Sequence, residues 1–270
     1  MDEQKYNLVQ ILAELDKLVG LSAKETDKTA YEALAEKARI IYEQYPESED
    51  IALRYAMILV KLSANQTELN EREASVAKLQ SLNERFSGSP DIALLYAMTL
   101  FNLSIKQTEL KEIEATVEKL EKLQQKFQDS HDIAEAFARI LLNLSTEQTG
   151  LKELETTAEK LQELQKKFPE SPDIAEAFTM ILLILSTKQT GLKELETTAE
   201  KLQDFQPQLQ ESEEIAFIYG MFLANLFNHQ TELIERRKTT KIIKELYDKF
   251  SKFMIQNFDD SFFSNDNVCD

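Results

Sequence analysis

The stretch IALLYAMTLFNLS, residues 92–104, recurs along the chain every 41 residues. The related stretches are IALRYAMILVKLS (51–63), IAEAFARILLNLS (133–145), IAEAFTMILLILS (174–186) and IAFIYGMFLANLF (215–227). Self-similarity at a fixed period of this length indicates a stack of one supersecondary unit, each copy packed on its neighbours. The sequence therefore predicts a single elongated repeat domain.

The amino-acid composition favours helices throughout. The 270 residues are 43% hydrophobic but include only 5 Gly and 5 Pro. That is too few turn-forming residues for a chain of many strands and tight turns. Leu, Glu, Lys, Gln and Ala dominate, and all of them favour helix. We therefore expect an all-α fold.

Each unit is predicted to contain two helices, called here the first helix and the second helix. A serine followed by acidic residues precedes each apolar stretch, as is typical of a helix N-cap. These serines are Ser48, Ser89, Ser130, Ser171 and Ser212. Each first helix runs to a Gln-Thr pair, whose threonine we expect to cap the second helix. The pairs begin at Gln66, Gln107, Gln148, Gln189 and Gln230. The second helix has apolar residues at three- and four-residue spacing, which predicts an amphipathic helix.

The repeats predict an α-solenoid of about six antiparallel helix pairs, forming one domain over residues 1–256. Repeats begin near residues 51, 92, 133, 174 and 215, and a divergent pair occupies residues 1–46. A divergent terminal pair is expected because it replaces a lost neighbour with polar surface. Pro207 stands where the preceding unit has Lys166, and it is expected to shorten or kink its helix because it lacks a backbone N–H.

Residues 257–270 are predicted to form an acidic-aromatic tail that breaks the helical period. The tail has four Asp and no Lys or Arg, a composition typical of a disordered segment. It also contains Phe258, Phe262 and Phe263, which is more apolar surface than a solvated tail needs. The alternative hypothesis is that these rings dock on the last helix pair or on a neighbouring molecule, covering an exposed terminal unit.

The boundary segment FPESPDIAEAF, residues 168–178, resembles that of the tetratricopeptide repeat family. In that family a second helix ends with an apolar residue and Pro, and the next unit opens with Ala-x-Ala-aromatic. Ala175, Ala177 and Phe178 match this opening, and the resemblance covers residues 51–250. It implies a right-handed superhelix whose first helices line a concave, peptide-binding face. The chain departs from the family in its longer period, since the family repeats every ~34 residues. It also has Leu141 and Leu182 where the family has a small residue.

Charge and cysteine content limit the classes of partner and compartment. The net charge of −17 repels phosphate backbones and argues against a nucleic-acid partner. The charge either keeps the protein soluble or favours basic partners.

Cys269 is the only cysteine, as is typical of a reducing compartment. The acidic N-terminus lacks the basic region of a secretory signal. The longest uncharged apolar run, residues 177–187, is shorter than the ~20 residues that span a bilayer. We expect a cytoplasmic protein that contacts no membrane.

No sequence motif predicts catalysis, a metal site or a cofactor. The two histidines, His131 and His229, lie at predicted helix ends without a nucleophile or metal-ligand pattern around them. The aspartates of the tail lack the spacing and the central glycine of an EF-hand loop. We therefore expect a protein that is not an enzyme and that needs no cofactor.

The first helices are apolar on nearly every side, which is the feature most relevant to function. The resemblance to the tetratricopeptide repeat family implies that the residues outside the stripe that faces the second helix line the concave face. They are Leu53, Val60, Leu94, Phe101, Ile105, Leu142, Leu183, Phe217 and Phe227. Either tight coiling buries them against neighbouring units, or they form an apolar groove for a partner.

The sequence thus predicts a non-enzymatic interaction module or scaffold. It would bind a protein or peptide segment, basic or amphipathic, in a concave and partly apolar groove. The alternative is a structural solenoid that binds no peptide and self-associates, for example as a homodimer, through the same surface.

Overall fold

The structure is a computed structural model that describes residues 2–24, 27–203 and 212–257. These residues form twelve α-helices and no strand, which confirms the all-α fold. The helices are α1 Asp2–Ser22, α2 Lys28–Gln44, α3 Glu49–Asn65, α4 Leu69–Arg85, α5 Pro90–Ser104 and α6 Leu110–Lys126. They continue with α7 His131–Glu147, α8 Leu151–Lys167, α9 Pro172–Lys188, α10 Leu192–Gln203, α11 Glu213–His229 and α12 Leu233–Asn257. Pro207 and the predicted tail beyond Asn257 lie outside the described residues. Within the described ranges, no helix combines the length and apolarity needed to cross a bilayer.

The chain divides into two compact units, Met1–Leu144 and Ser145–Asp270. In the first unit, α3 contacts α1 and α5, so successive first helices lie side by side. The second helices α2 and α4 each contact the first helix before them and the one after them. In the second unit, α9 contacts α11, and α10 contacts both. Each unit therefore contains first helices in lateral contact, with second helices packed on them.

The predicted serine N-caps are confirmed. The hydroxyl of Ser171 accepts a hydrogen bond from the Ile174 N–H at 3.3 Å, satisfying a backbone donor that has no partner within the helix. The same contact is made by the equivalent serines, at 3.2 to 3.5 Å: Ser48, Ser89, Ser130 and Ser212. The serine fixes where every first helix from α3 onward begins.

The predicted threonine caps are wrong. The N-caps of α4, α6 and α8 are Glu68, Glu109 and Gly150, the residues after the threonines, and none makes a side-chain cap bond. The chain leaves α3 and α9 in an extended conformation at their C-caps, Gln66 and Gln189. This conformation delays the second helix, so the threonine falls one residue outside it.

The glutamine of each Gln-Thr pair has the structural role instead. Gln148 is buried, and its Oε1 accepts a hydrogen bond of 3.0 Å from the hydroxyl of Thr157 on α8. The same bond, between residues nine apart, occurs in every repeat. The pairs are Gln66–Ser75, Gln107–Thr116, Gln148–Thr157, Gln189–Thr198 and Gln230–Thr239. It joins the end of each first helix to the second helix of the same pair.

A second recurring bond joins neighbouring first helices. Asn102 on α5 donates to the hydroxyl of Ser63 on α3 at 2.8 Å, and Asn143 on α7 donates to Ser104 at 3.0 Å. In the second unit, the Asn225 amide donates to the Ser186 carbonyl at 2.9 Å and to its hydroxyl at 3.2 Å. These buried serines leave room for close approach, and the asparagines set the offset between adjacent helices.

Removing one serine cap should destabilise the protein measurably. We expect Ser171→Ala to lower the free energy of unfolding by about 1 kcal/mol, because it leaves a helix N–H without its acceptor. Urea unfolding followed by circular dichroism measures the change. Ser81→Ala is the control, because the exposed Ser81 hydroxyl bonds only within α4, to the Ala77 carbonyl. Superimposable curves for Ser171→Ala and the parent protein would contradict the cap assignment.

The glutamine–hydroxyl bond can be tested with two adjacent threonines. Thr157→Val removes the hydroxyl that binds the buried Gln148, so we expect a loss of about 1–3 kcal/mol. The exposed Thr156 bonds only the Lys152 carbonyl of its own helix, and Thr156→Val should cost far less. Equal unfolding free energies for the two variants would show that the Gln148–Thr157 bond contributes nothing.

Candidate interaction surfaces

The residues predicted to line a concave face differ in how accessible they are. Val60 is buried at 5% exposure, whereas Ile105 is 54% exposed. The others are half-buried: Leu53, Leu94, Phe101, Leu142, Leu183, Phe217 and Phe227. Phe101 lies beneath the guanidinium of Arg139 on α7, 5.9 Å from its ring centre. The first helices of the first unit therefore have a partly exposed apolar surface with a cation beside it.

Two of the predicted residues in the second unit are occupied by contacts with α12. Phe217 packs against the cluster formed by Ala216 and Phe250, and the ring of Phe227 lies 4.1 Å beneath the guanidinium of Arg236. These contacts form because α11 and α12 are partners in one helix pair. Phe217 and Phe227 thus help hold the last helix pair together.

Sequence reasoning missed a row of methionines on the first helices. Four of the six methionines in the chain stand at the same repeat position: Met57, Met98, Met180 and Met221. Met57 and Met98 in the first unit are 40% and 41% exposed, and Met221 in the second unit is 39% exposed. Met180 is half-buried, and Arg139 occupies the position on α7. The fixed interval between these methionines was the available sequence signal.

The exposed sides of α3 and α5 are acidic at their N-terminal ends. Residues i, i+3 and i+7 lie along one side of a helix, so Asp50, Leu53 and Met57 form a stripe on α3. Asp91, Leu94 and Met98 form the same stripe on α5. The aspartates are exposed, and the leucines are half-buried. Each stripe therefore combines an acidic end with an apolar middle.

A concave site lies among α2, α3 and α4, and its volume is about 390 Å³. Its charged lining residues are Glu32, Glu36, Arg39, Glu71 and Lys78. Arg39 donates to the Glu36 carboxylate at 2.6 Å, and this bond holds the pKa of Glu36 below its usual range. The carboxyl of Glu36 therefore stays ionised near neutral pH and is unsuited to donating a proton.

Lys28, beside the cleft, and Tyr55, in its lining, are also unsuited to proton transfer. Lys28 donates to the Glu71 carboxylate at 2.5 Å, and this hydrogen bond raises the pKa of Lys28. Burial raises the pKa of Tyr55 to about 12, so its phenol is neutral at physiological pH. A general acid or base works best with a pKa near the ambient pH. Glu36, Arg39 and Glu71 of the cleft are held in ion pairs, which fits a structural role.

Three side chains near the start of α7 have metal-ligand atoms within 4.8 Å of one another: His131, Asp132 and Glu135. The His131 Nδ1 lies 3.5 Å from a Glu135 carboxylate oxygen. His131 and Asp132 are exposed, and the positive end of the helix dipole disfavours a cation there. Acidic residues are favourable near a helix N-terminus, and this explains the position of Asp132 and Glu135 without a metal ion.

Comparison of the chain with protein-family models, with curated proteins and with solved structures finds no match. The functional interpretation therefore rests on the residues and geometry described above.

Proposed function

We propose that the protein is a non-enzymatic interaction module whose first helices bind an amphipathic helical segment of a partner protein. The observation that carries this proposal is the pair of solvent-exposed methionines, Met57 and Met98, at the same repeat position of α3 and α5. A methionine on the surface exposes apolar area to water, which is unfavourable. Packing within the chain does not require methionine at the same position of four first helices. We interpret Met57 and Met98, on α3 and α5 of the first unit, as the centre of a binding face.

The architecture that we propose is a tetratricopeptide-like solenoid with lengthened helices. The 41-residue period and the lateral contacts of first helices within each unit support it. In such a stack, equivalent residues of successive first helices line up on one face. Met57 and Met98 then lie next to each other on neighbouring helices α3 and α5.

Methionine is suited to recognising helices of differing shape. Its unbranched side chain has three rotatable bonds and a polarizable sulfur, so it adapts to irregular apolar surfaces. Phe101 and Ile105 on α5 extend the apolar area on the C-terminal side of Met98. An amphipathic helix lying across α3 and α5 would bury its apolar side on these residues.

The charge of the face favours a basic partner. Asp50 and Asp91 are exposed at the N-terminal ends of the stripes that contain Met57 and Met98. The whole chain has a net charge of −17, which attracts cationic segments over a distance and repels nucleic acids. Lys or Arg along the polar edge of the bound helix would therefore meet the aspartates.

Methyl NMR tests this proposal directly. The six methionine methyl groups would be ¹³C-labelled and the protein titrated with a Leu/Lys amphipathic peptide of about 18 residues, five helical turns. We expect the signals of Met57 and Met98 to shift with saturation, while Met1 and Met254, outside the row, serve as references. The variant Met57→Gln/Met98→Gln should bind about tenfold more weakly, which corresponds to about 1.4 kcal/mol.

The matched control is Ile40→Gln, an apolar-to-polar change at a residue of α2 that is 45% exposed. It should leave peptide affinity unchanged, because Ile40 is not on a first helix. Peptide binding that shifts none of the row methyls would contradict the proposal. Shifts of the same methyls on simple dilution, without peptide, would instead favour the self-associating alternative, and light scattering would then report a dimer.

A further inference from the structure

The last second helix, α12, leaves partly exposed a side that earlier repeats bury. The equivalents of Ile243 in the four preceding repeats are fully buried: Leu79, Leu120, Leu161 and Leu202. Ile243 is half-buried, and so is Leu246, one turn further along α12. In the first unit, α5 packs against the corresponding α4. The side of α12 that would meet a following first helix is therefore incompletely covered by the described residues.

Arginine occupies one position of this side in the first and last repeats only. Arg72 on α4 is buried, and it donates to the Gln66 carbonyl at 2.8 Å and to the carbonyl of Asn102 on α5. The intervening repeats have Ile113, Leu154 and Leu195 at this position. Arg236 on α12 is the last equivalent, and its buried Nε has no hydrogen-bond partner. Arg236 therefore lacks the contacts that satisfy Arg72.

The contacts between α4 and α5 indicate what would complete the face. Besides the bond from the Arg72 guanidinium to the backbone carbonyl of Asn102, the hydroxyl of Tyr96 on α5 donates to the Gln80 side chain on α4 at 3.5 Å. Four repeats of 41 residues further along, these two pairs become Arg236 with Asp266 and Lys244 with Asp260. Both are pairs of opposite charge. The register of the repeat thus matches the acidic residues after Asn257 to basic residues of α12.

The backbone before this segment follows the same register. The second helices α4, α6 and α8 end at Phe86, Phe127 and Phe168, with φ of −105°, −112° and −125°. Phe250 is their equivalent, and it is non-helical, with φ −115° and ψ 29°. Helix resumes after it and reaches Asn257. The chain therefore bends at the position where the earlier second helices end.

Charge complementarity also indicates that residues 258–270 cover this side of α12. Helix α12 has seven Lys and Arg residues against three Asp and Glu, in a chain whose net charge is −17. Residues 258–270 have four Asp, three Phe and no basic residue. Their Phe263 falls at the repeat position of Phe222, which is fully buried. An apolar and acidic segment fits a face that is apolar and basic.

We propose that residues 258–270 bind the partly exposed side of α12 in the register of a following first helix. Asp266 pairs with Arg236, Asp260 pairs with Lys244, and Phe263 covers the apolar residues Ile243 and Leu246. The occupant is the protein's own C-terminal segment. This proposal does not depend on the methionine face.

The single cysteine allows a test on the full chain. A nitroxide attached to Cys269 broadens the amide NMR signals of residues near it, and the chemically reduced label provides the reference. In the repeat register Cys269 is equivalent to Ile105, which closely follows Asn102, the partner of Arg72. We therefore expect loss of the amide signals between Gln230 and Arg236, at the loop that joins α11 to α12.

Charge reversal tests the register. Lys244 is exposed, so Lys244→Glu should leave the fold intact while it restores the lost amide signals. Asp260→Lys should do the same, and Lys244→Glu/Asp260→Lys should abolish the signals again. Lys241→Glu is the matched control: it makes the same charge change one turn earlier on α12, outside the register, and should keep the wild-type pattern.

Three results would overturn the proposal. One is wild-type protein without signal loss near Gln230–Arg236. Another is signal loss that persists in both single reversals or is not recovered in the double variant. The third comes from a mixture of ¹⁵N-labelled protein without nitroxide and unlabelled protein with it: signal loss there as strong as in the doubly labelled chain would assign the contact to a second molecule.

Discussion

The structure depends on one buried hydrogen bond that is made again in every repeat. A glutamine at the end of each first helix accepts a hydroxyl bond from the second helix, nine residues later. Burying the glutamine amide without this partner would be unfavourable, because the amide would lose its hydrogen bonds to water. Each glutamine therefore favours the placement of the second helix that brings the hydroxyl to it. The apolar residues of the two helices supply most of the burial. The glutamine determines how the two helices of a pair are joined.

The asparagine–serine bonds have the same role between neighbouring helix pairs that the glutamine bonds have within a pair. Ser63 and Ser104 are small enough for first helices to approach closely, and Asn102 and Asn143 fix the offset between them. Once the offset is fixed, equivalent residues of α3 and α5 occupy adjacent places on one surface. The proposed pairing of Met57 and Met98 on one surface therefore depends on this offset as well as on the repeat itself.

The parts of this fold that local chemistry determines could be predicted from the sequence. The period gave the helix pairs, and a serine before acidic residues correctly located the starts of the first helices. The starts of the second helices could not be predicted, because the extended backbone at Gln66 and Gln189 shifts the helix past the threonine. From the sequence alone, a glutamine between two helices cannot be distinguished from an ordinary polar loop residue. The tertiary packing shows that Gln148 is buried.

The candidate surface was predictable to a lesser degree. Apolar residues all round the first helix indicated a face of interest, but sequence periodicity alone cannot separate the buried Val60 from the exposed Ile105. The difference depends on which neighbouring helix passes over each residue. Phe217 and Phe227 were assigned to the same face, yet both contact α12, because the last pair turns these rings toward its own second helix.

The short sequence range of the recurring bonds has a consequence for how the chain folds. The glutamine bonds join residues nine apart, and the asparagine–serine bonds join residues 39 apart. Closing such short loops costs little chain entropy, and the cost grows only slowly with loop length. Proteins dominated by local contacts fold quickly, because few distant segments must meet before stabilising contacts form. Both recurring bonds form within one helix pair and its neighbour, so local segments can form these contacts before distant parts of the chain meet.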